Sequence, residues 1–356
     1  MSIYETHLYA TGQSKNSVLN VFTDINYLYS WALKSKDLNL DTLLLNGERL
    51  KPKDIRAFSF WLSKRANTNT LKSNTKPLNI GYQNSIKTTC SAVFQFFVSQ
   101  YASFNKDTAR DIALSRIQLD WKATKKKQRK NKVADNLTEA EIMAIEKCMK
   151  VEYQIAQGVK QAVAFRNYLM WRLSIEFGMR IGEILLLRLQ DLPSRNRNNI
   201  QIVRVDERES NYSDPRGVNA PLVKTLSRDL GFVIKNSPIP ELLSIYTTRY
   251  RNRKITRRGK KMRQVVTDHP FLILEHQRKA SPLSISGAQD IAVKIAKDSG
   301  VKRFHWHLSR HSFFNRAYAA IAQSEEYKDQ KKVLQVFGGW ENSQSIVFKT
   351  THKTNM

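Results

Sequence analysis

The sequence predicts a mainly α fold: an N-terminal helical bundle, a basic linker, and a larger, mostly α domain with a small antiparallel β-sheet. Three observations predict it. Apolar residues recur at helical spacing along most of the 356 residues. A basic run without core-forming side chains interrupts that pattern near residue 122. After Asn199 the spacing changes to that of strands. The chain is too long for one ordinary domain, and the expected division is 1–121, 122–135 and 136–356.

In the first domain, Val18, Val21, Phe22, Ile25, Leu28, Tyr29 and Ala32 mark a helix over 17–33. Pro52 opens a second, which carries Ile55, Phe58, Phe60, Trp61 and Leu62. A third spans 84–100 with Ile86, Val93, Phe94, Phe97 and Val98 inward, and a weaker fourth spans 108–116. Four short helices make a small bundle whose basic, polar outer faces suit DNA or another protein. The segment KATKKKQRKNK, 122–132, has seven positive charges, among them Lys125, Lys126, Lys127, Arg129 and Lys130, and no negative one. It reads as a linker, either crossing a phosphate backbone or simply solvated.

Helix signals restart at Leu137, where Thr138 and Glu141 fit a capping box. A long apolar helix over 162–177 is closed by Gly178, and another follows over 180–189. Ile200, Ile202, Val203 and Val205 predict a strand, and 221–225 and 232–234 predict two more. Helices resume over 240–251, 284–297, 308–322 and 330–337, the last ended by Gly338 and Gly339. The run RYRNRKITRRGKKMR, 249–263, includes Arg257 and Arg258 and carries nine positive charges without an acid. It is expected to project as a loop or helix end, touching phosphates or only water.

The charge balance narrows the function. Lys and Arg number 59 against 31 Asp and Glu, a net charge of +28. Such an excess neutralises phosphates and points to nucleic acid. A merely solubilising charge or an anionic membrane surface is the alternative. Cys90 and Cys148 are too few for a disulfide framework or a zinc site, and are expected as reduced thiols. No apolar run approaches membrane-spanning length, and the N-terminus lacks a signal-peptide core. A cytoplasmic setting is therefore expected. No strand motif or aromatic platform favours RNA.

Three separated segments carry phosphate-directed groups. Arg180 stands at a helix start between apolar stretches, where an unpaired charge would be costly, and Glu183 one turn on can brace it. His307, Arg310 and His311 share a helix face. Histidines four apart can chelate zinc. Here an arginine intrudes and no glutamate stands in the required place, so neither metal nor cofactor is expected. Trp340, after the Gly338-Gly339 turn, can offer its indole N–H to an anion or pack in the core.

In this order, Arg180-x-x-Glu183, His307-x-x-Arg310-His311 and Gly339-Trp340 resemble the motifs of the tyrosine recombinases, or phage integrases. The resemblance covers nearly the whole chain. It implies a core-binding, SAM-like helical domain followed by a catalytic domain. It also implies a lysine on a hairpin between strands, which Lys224 matches; Lys235 is the rival. The implied chemistry is metal-free. Arg180 and Arg310 clamp the non-bridging phosphate oxygens, and Trp340 adds a neutral hydrogen bond. Lys224 protonates the leaving 5′ oxygen. His307 binds the phosphate or relays a proton, and His311 orients its neighbours.

The family's tyrosine is missing. None occurs from Trp340 to the end of the sequence, and Phe348 lies at the expected spacing. Either a tyrosine has been replaced there or the chain is a natural DNA-binding relative that does not cleave. The nearest preceding tyrosines are Tyr318, expected in the core, and Tyr327. The resemblance further implies a homo-tetramer on two specific duplex sites, possible accessory DNA-bending proteins, a mobile-element or dimer-resolving role, and a bacterial or phage-type, nucleoid-associated setting. The segment before the first helix is expected to be too short for an arm-binding domain. The chain stops eight residues after Phe348, where relatives often extend with a docking helix. A type IB topoisomerase-like cutter and a non-catalytic regulator are the competing functions.

Overall fold

The computed structural model describes residues 1–13, 15–34, 38–65, 77–104, 106–127, 136–208, 213–221, 226–231, 236–251, 253–256, 262–265, 267–276 and 280–340. For 218, 253–256 and 262–265 only the backbone is described. The chain forms two compact units, Met1–Asn131 and Lys132–Met356.

The first unit holds six helices among its described residues: α1 (Ser2–Ala10), α2 (Lys15–Ala32), α3 (Leu40–Leu45), α4 (Pro52–Ser63), α5 (Ile80–Tyr101) and α6 (Asp107–Ala123). Four were expected. The additional α1 and α3 are too short to show a period. Asn39 caps α3 by accepting the Thr42 N–H at 3.1 Å. Phe58, Phe94, Trp31 and Trp121 pack edge-on and stacked at the centre. Phe60, two residues from Phe58, lies off the buried face and is 63% exposed, with the Lys64 ammonium 4.2 Å from its ring.

The basic run begins inside the last turns of α6 rather than after the helix. Buried Lys87 donates to the Thr124 carbonyl at 2.7 Å. Lys125 donates to the Thr88 hydroxyl at 2.7 Å, and Asn84 bonds both the N–H and the carbonyl of Lys126. Composition alone hides this, because the anchors are backbone groups and polar side chains of α5.

The second unit contains α7 (Glu139–Met149), α8 (Val151–Ala156), α9 (Gln161–Phe177), α10 (Ile181–Leu186), α11 (Ile239–Ile245), α12 (Ile285–Asp298), α13 (Trp306–Ile321) and α14 (Tyr327–Gly338). Thr138 and Glu141 form the expected capping box. A π turn, Tyr246–Arg251, extends α11. Strand β1 (Asn199–Ile202) pairs antiparallel with β2 (Arg228–Gly231), and β3 (Arg253–Thr256) with β4 (Met262–Val265). β2 lies between the two stretches expected as strands, of which 222–225 and 232–234 fall outside the described residues. The β3–β4 hairpin occupies the run expected as a loop or helix end. The segments Arg253-Lys254-Ile255-Thr256 and Met262-Arg263-Gln264-Val265 lack the polar–apolar alternation by which a strand is read, so their pattern does not mark them.

Helix α9 is the axis of this unit. Trp171, Leu169, Met170 and Leu173 are fully buried. The Ser174 and Ser309 hydroxyls meet at 2.5 Å where α13 crosses it. Small residues at that crossing let the two helices approach. Gly178 then ends α9 in the left-handed region (φ 59°, ψ 28°). A Cβ on Gly178 would sit 2.5 Å from Phe313 and 2.8 Å from Phe314. Both cysteines are buried, and burial pushes the Cys148 thiol up to about 11, so it stays protonated at neutral pH.

Gly178→Ala should therefore destabilise the second unit by about 2–4 kcal/mol, the sum of a left-handed alanine and an overpacked contact. Urea unfolding followed by tryptophan fluorescence measures it. A loss below about 0.5 kcal/mol would contradict the tight α9–α13 contact.

Candidate active site

Beyond Gly178 the chain passes through buried Met179 to Arg180, whose extended backbone starts α10. Glu183, three residues on, accepts the Arg180 backbone N–H at 2.9 Å and its Nη1 at 3.1 Å. The pair fixes the arginine from both ends. Its side chain stays 27% exposed, whereas that of Glu183 is 1% exposed.

Arg310 projects from α13 into the same region and is almost fully buried. Its Nη1 donates to the Gly178 carbonyl and its Nη2 to the Gly338 carbonyl at 2.9 Å. Arg180 Nη1 donates to that same Gly338 oxygen at 3.2 Å. Both carbonyls belong to helix C-termini, whose partial negative charge suits a cation. The Arg310 guanidinium also lies 4.5 Å from the Phe314 ring centre and 5.0 Å from that of Trp340. Among the described residues no carboxylate ion-pairs with it. Burial first, then the charges of Arg180 and Arg228, push it down to about 9.

His307 and His311 meet edge-to-face on the same helix face with ring centres 4.3 Å apart. His307 lies at the edge of the cluster, partly open to solvent and partly enclosed. Desolvation of its ring, then His311, Arg310 and Arg180, push it down to about 4. It is a neutral imidazole at pH 7. Among the described residues no group of three or more His, Cys, Asp or Glu side chains is placed to hold a metal ion.

Helix α14 supplies the third segment. Gly339 ends it in the left-handed region (φ 65°). The Trp340 ring folds back over Gly338, where a Cβ would stand 2.2 Å from it, and packs edge-on against Phe314 at 4.5 Å. Tyr318 is half-buried rather than in the core, its hydroxyl bonded to that of Tyr327. Tyr327 opens α14, so this contact joins α13 to α14.

One participant escaped the sequence reading. Arg228 on β2 is 2% exposed in its side chain and donates Nη2 to Glu183 at 3.0 Å and Nε to the Phe337 carbonyl at 2.6 Å. The signal was present: Arg228 and Leu230 occupy the inward positions of β2. Burial alone would raise the Glu183 carboxyl. Arg228, then Arg310 and Arg180, outweigh burial and hold it below the usual carboxylate range.

Arg180, Glu183, His307, Arg310, His311 and Trp340 thus come together. Lys224 and Phe348 lie outside the described residues, as do Arg129, Lys130, Arg257 and Arg258. Lys125, Lys126 and Lys127 belong to the first unit.

No family model matches the sequence, and no curated protein matches it. Solved structures do share its fold. A segment of lambda integrase bound to DNA superposes with a TM-score of 0.53 at 13% identity, covering 98% of this chain and 92% of that one. The Tn1549 transposon integrase, in a tyrosine-to-phenylalanine variant complexed with transposon right-end DNA, gives 0.55 at 17% identity, covering 97% and 92%. A lambda integrase tetramer bound to a Holliday junction gives 0.51 at 13% identity, covering 96% and 76%. The fold is that of these integrases: mainly helical, with a small antiparallel sheet. Among the described residues no helix is long and apolar enough to cross a membrane.

The depressed His307 has a measurable consequence. Below about pH 6.5 the unfolded chain takes up a proton that the folded site refuses until about pH 4, so this residue subtracts stability as pH falls through that window. Side-chain NMR of the free protein should give a His307 midpoint near 4. Adding duplex DNA should raise it, since a phosphate favours the imidazolium. A midpoint at the ordinary histidine value would contradict the desolvated, cation-flanked ring.

Proposed function

We propose that the chain is a site-specific DNA strand transferase of the tyrosine recombinase kind, with Phe348 in the nucleophile's position. The supporting observation is Arg310. It is a buried cation compensated by two helix-end carbonyls and two ring faces, with Arg180 donating to one of the same oxygens. Buried charge left short of counter-charge is a poor structural investment and a good anion receptor. The fold shared with DNA-bound integrases makes a DNA phosphodiester the fitting anion.

In this reading Arg180 and Arg310 hold the non-bridging oxygens and offset the charge that grows on them in the transition state. The indole of Trp340 adds a neutral donor, and His311 orients His307. A hydroxyl at position 348 attacks phosphorus as the bond from phosphorus to the 5′ oxygen breaks. Lys224 gives the departing oxygen its proton. Neutral His307 binds the phosphate or takes the proton of the attacking hydroxyl. The phosphotyrosyl ester keeps the energy of the broken linkage, so rejoining needs no ATP. Phenylalanine has no oxygen to attack with, and this chain stops at binding. Lys125, Lys126, Lys127, Arg129, Lys130, Arg257 and Arg258 follow the phosphate backbone. Assembly is a tetramer on two sites, in keeping with the neighbour on a Holliday junction.

A second reading rests on the absence of any tyrosine after Trp340: a regulator of the same fold that binds a specific site and never cleaves. One experiment separates the two. A duplex site is selected from a random library, nicked, and mixed with the Phe348→Tyr chain. Strand transfer predicts a covalent adduct that survives denaturing electrophoresis, absent from the unaltered chain. Adding Arg180→Lys should lower its yield rate about a hundredfold. Site-specific binding with no adduct from a folded Phe348→Tyr protein would leave the regulator. Relaxation of supercoiled DNA without site preference would instead indicate the topoisomerase-like cutter.

A further inference from the structure

We propose that Arg228 is a positioning residue of the phosphate clamp: it touches no phosphate, and it sets where Arg180 and Arg310 point. The inference rests on the strand-transfer reading and adds a residue to it. Arg228 ties together three pieces of chain that come from distant parts of the sequence. Its Nη2 meets the Glu183 Oε2 at 3.0 Å, the same oxygen that accepts the Arg180 backbone N–H at 2.9 Å. The other Glu183 oxygen holds Arg180 Nη1 at 3.1 Å. Arg228 therefore orients the carboxylate that orients Arg180.

Its second arm acts on Arg310. Nε holds the Phe337 carbonyl at 2.6 Å, one residue before the Gly338 carbonyl that receives both clamp arginines. Pinning Phe337 fixes the end of α14 against β2. Nη1 reaches back to the Leu226 carbonyl at 3.4 Å, and the position proposed for the general acid, Lys224, is two residues before Leu226 in the sequence. A planar fork can serve three acceptors in fixed directions, and an ammonium cannot. A merely structural ion pair would need only the Glu183 contact. The Phe337 contact, made by the same guanidinium, links the pair to the clamp.

The test uses the full chain. In Phe348→Tyr, Arg228→Lys and Arg228→Met are compared for single-turnover cleavage of the nicked duplex at saturating protein and for duplex affinity. Misaligned arginines should slow cleavage about 30-fold or more, while affinity, set by many backbone contacts, changes less than about threefold. Arg228→Lys keeps the charge beside Glu183 and loses the fork, so it should remain folded and still be slow. Combining Glu183→Gln with Arg228→Met should cost less than the product of the two single effects. A separate arm needs no cleavage. In the unaltered Phe348 chain, the side-chain Nε–H signals of Arg180 and Arg310 in NMR should shift or broaden on Arg228→Lys. Unmoved signals in a folded Arg228→Lys protein overturn the proposal, as does cleavage at the parent rate. If Phe348→Tyr itself forms no adduct, the strand-transfer reading fails and the NMR arm alone decides whether Arg228 sets the clamp.

Discussion

The site is organised around one buried carboxylate. Glu183 contacts Arg180 and Arg228 and lies within the field of Arg310. Three guanidinium groups, those of Arg180, Arg228 and Arg310, bear on it. Arg180 and Arg310 donate to the same Gly338 oxygen at 3.2 and 2.9 Å. Those two nitrogens therefore lie within about 6 Å of each other, where two unit charges repel by about 3 kcal/mol at an effective dielectric of 20. A cluster with this repulsion is stable because other groups offset part of it.

The groups that offset it are backbone. Helix α9 ends at Gly178 and α14 at Gly338, and both carbonyls point at Arg310. Each helix brings the negative end of its dipole to the cation. This explains why glycines stand at both places. At Gly178 a side chain would enter the α13 phenylalanines, and at Gly338 it would enter the Trp340 ring. The aromatic faces of Phe314 and Trp340 complete the wall around the guanidinium. Packing and electrostatics are thus the same constraint here. Whatever lets the helices close also delivers the carbonyls that make a buried arginine tolerable.

Much of this was legible in the sequence because it follows short periods. Arg180 with Glu183, and His307 with Arg310 and His311, are one-turn spacings that a helix converts directly into a shared face. Gly178 closed α9 where expected, and the Thr138 capping box formed as read. What was not legible depends on contacts between distant segments. Arg228 looked like one more basic residue in a chain with 59 of them. Its role exists only because β2 pairs with β1 and faces α10. The β3–β4 hairpin was hidden for a different reason: its charge-dense segments carry no polar–apolar alternation. Phe60 is exposed because five apolar residues within eight positions cannot all share one helical face.

Position 348 separates two properties that a complete enzyme joins. On the proposed reading, affinity for a phosphodiester derives from Arg180 and Arg310, which the helix-end carbonyls hold in place, and none of these groups needs the nucleophile. Cleavage, on the strand-transfer reading, needs one further oxygen at the phosphorus. Tyrosine and phenylalanine share a ring, so packing gives little reason to distinguish them, while the chemistry differs absolutely. A chain that had lost cleavage through disuse would be under no constraint to keep Glu183 buried among three arginines, since that arrangement costs desolvation and returns nothing without an anion. A chain that binds DNA without cutting would still gain from it. The charge cluster therefore argues for DNA phosphate at this site under either reading, and only the covalent step distinguishes them.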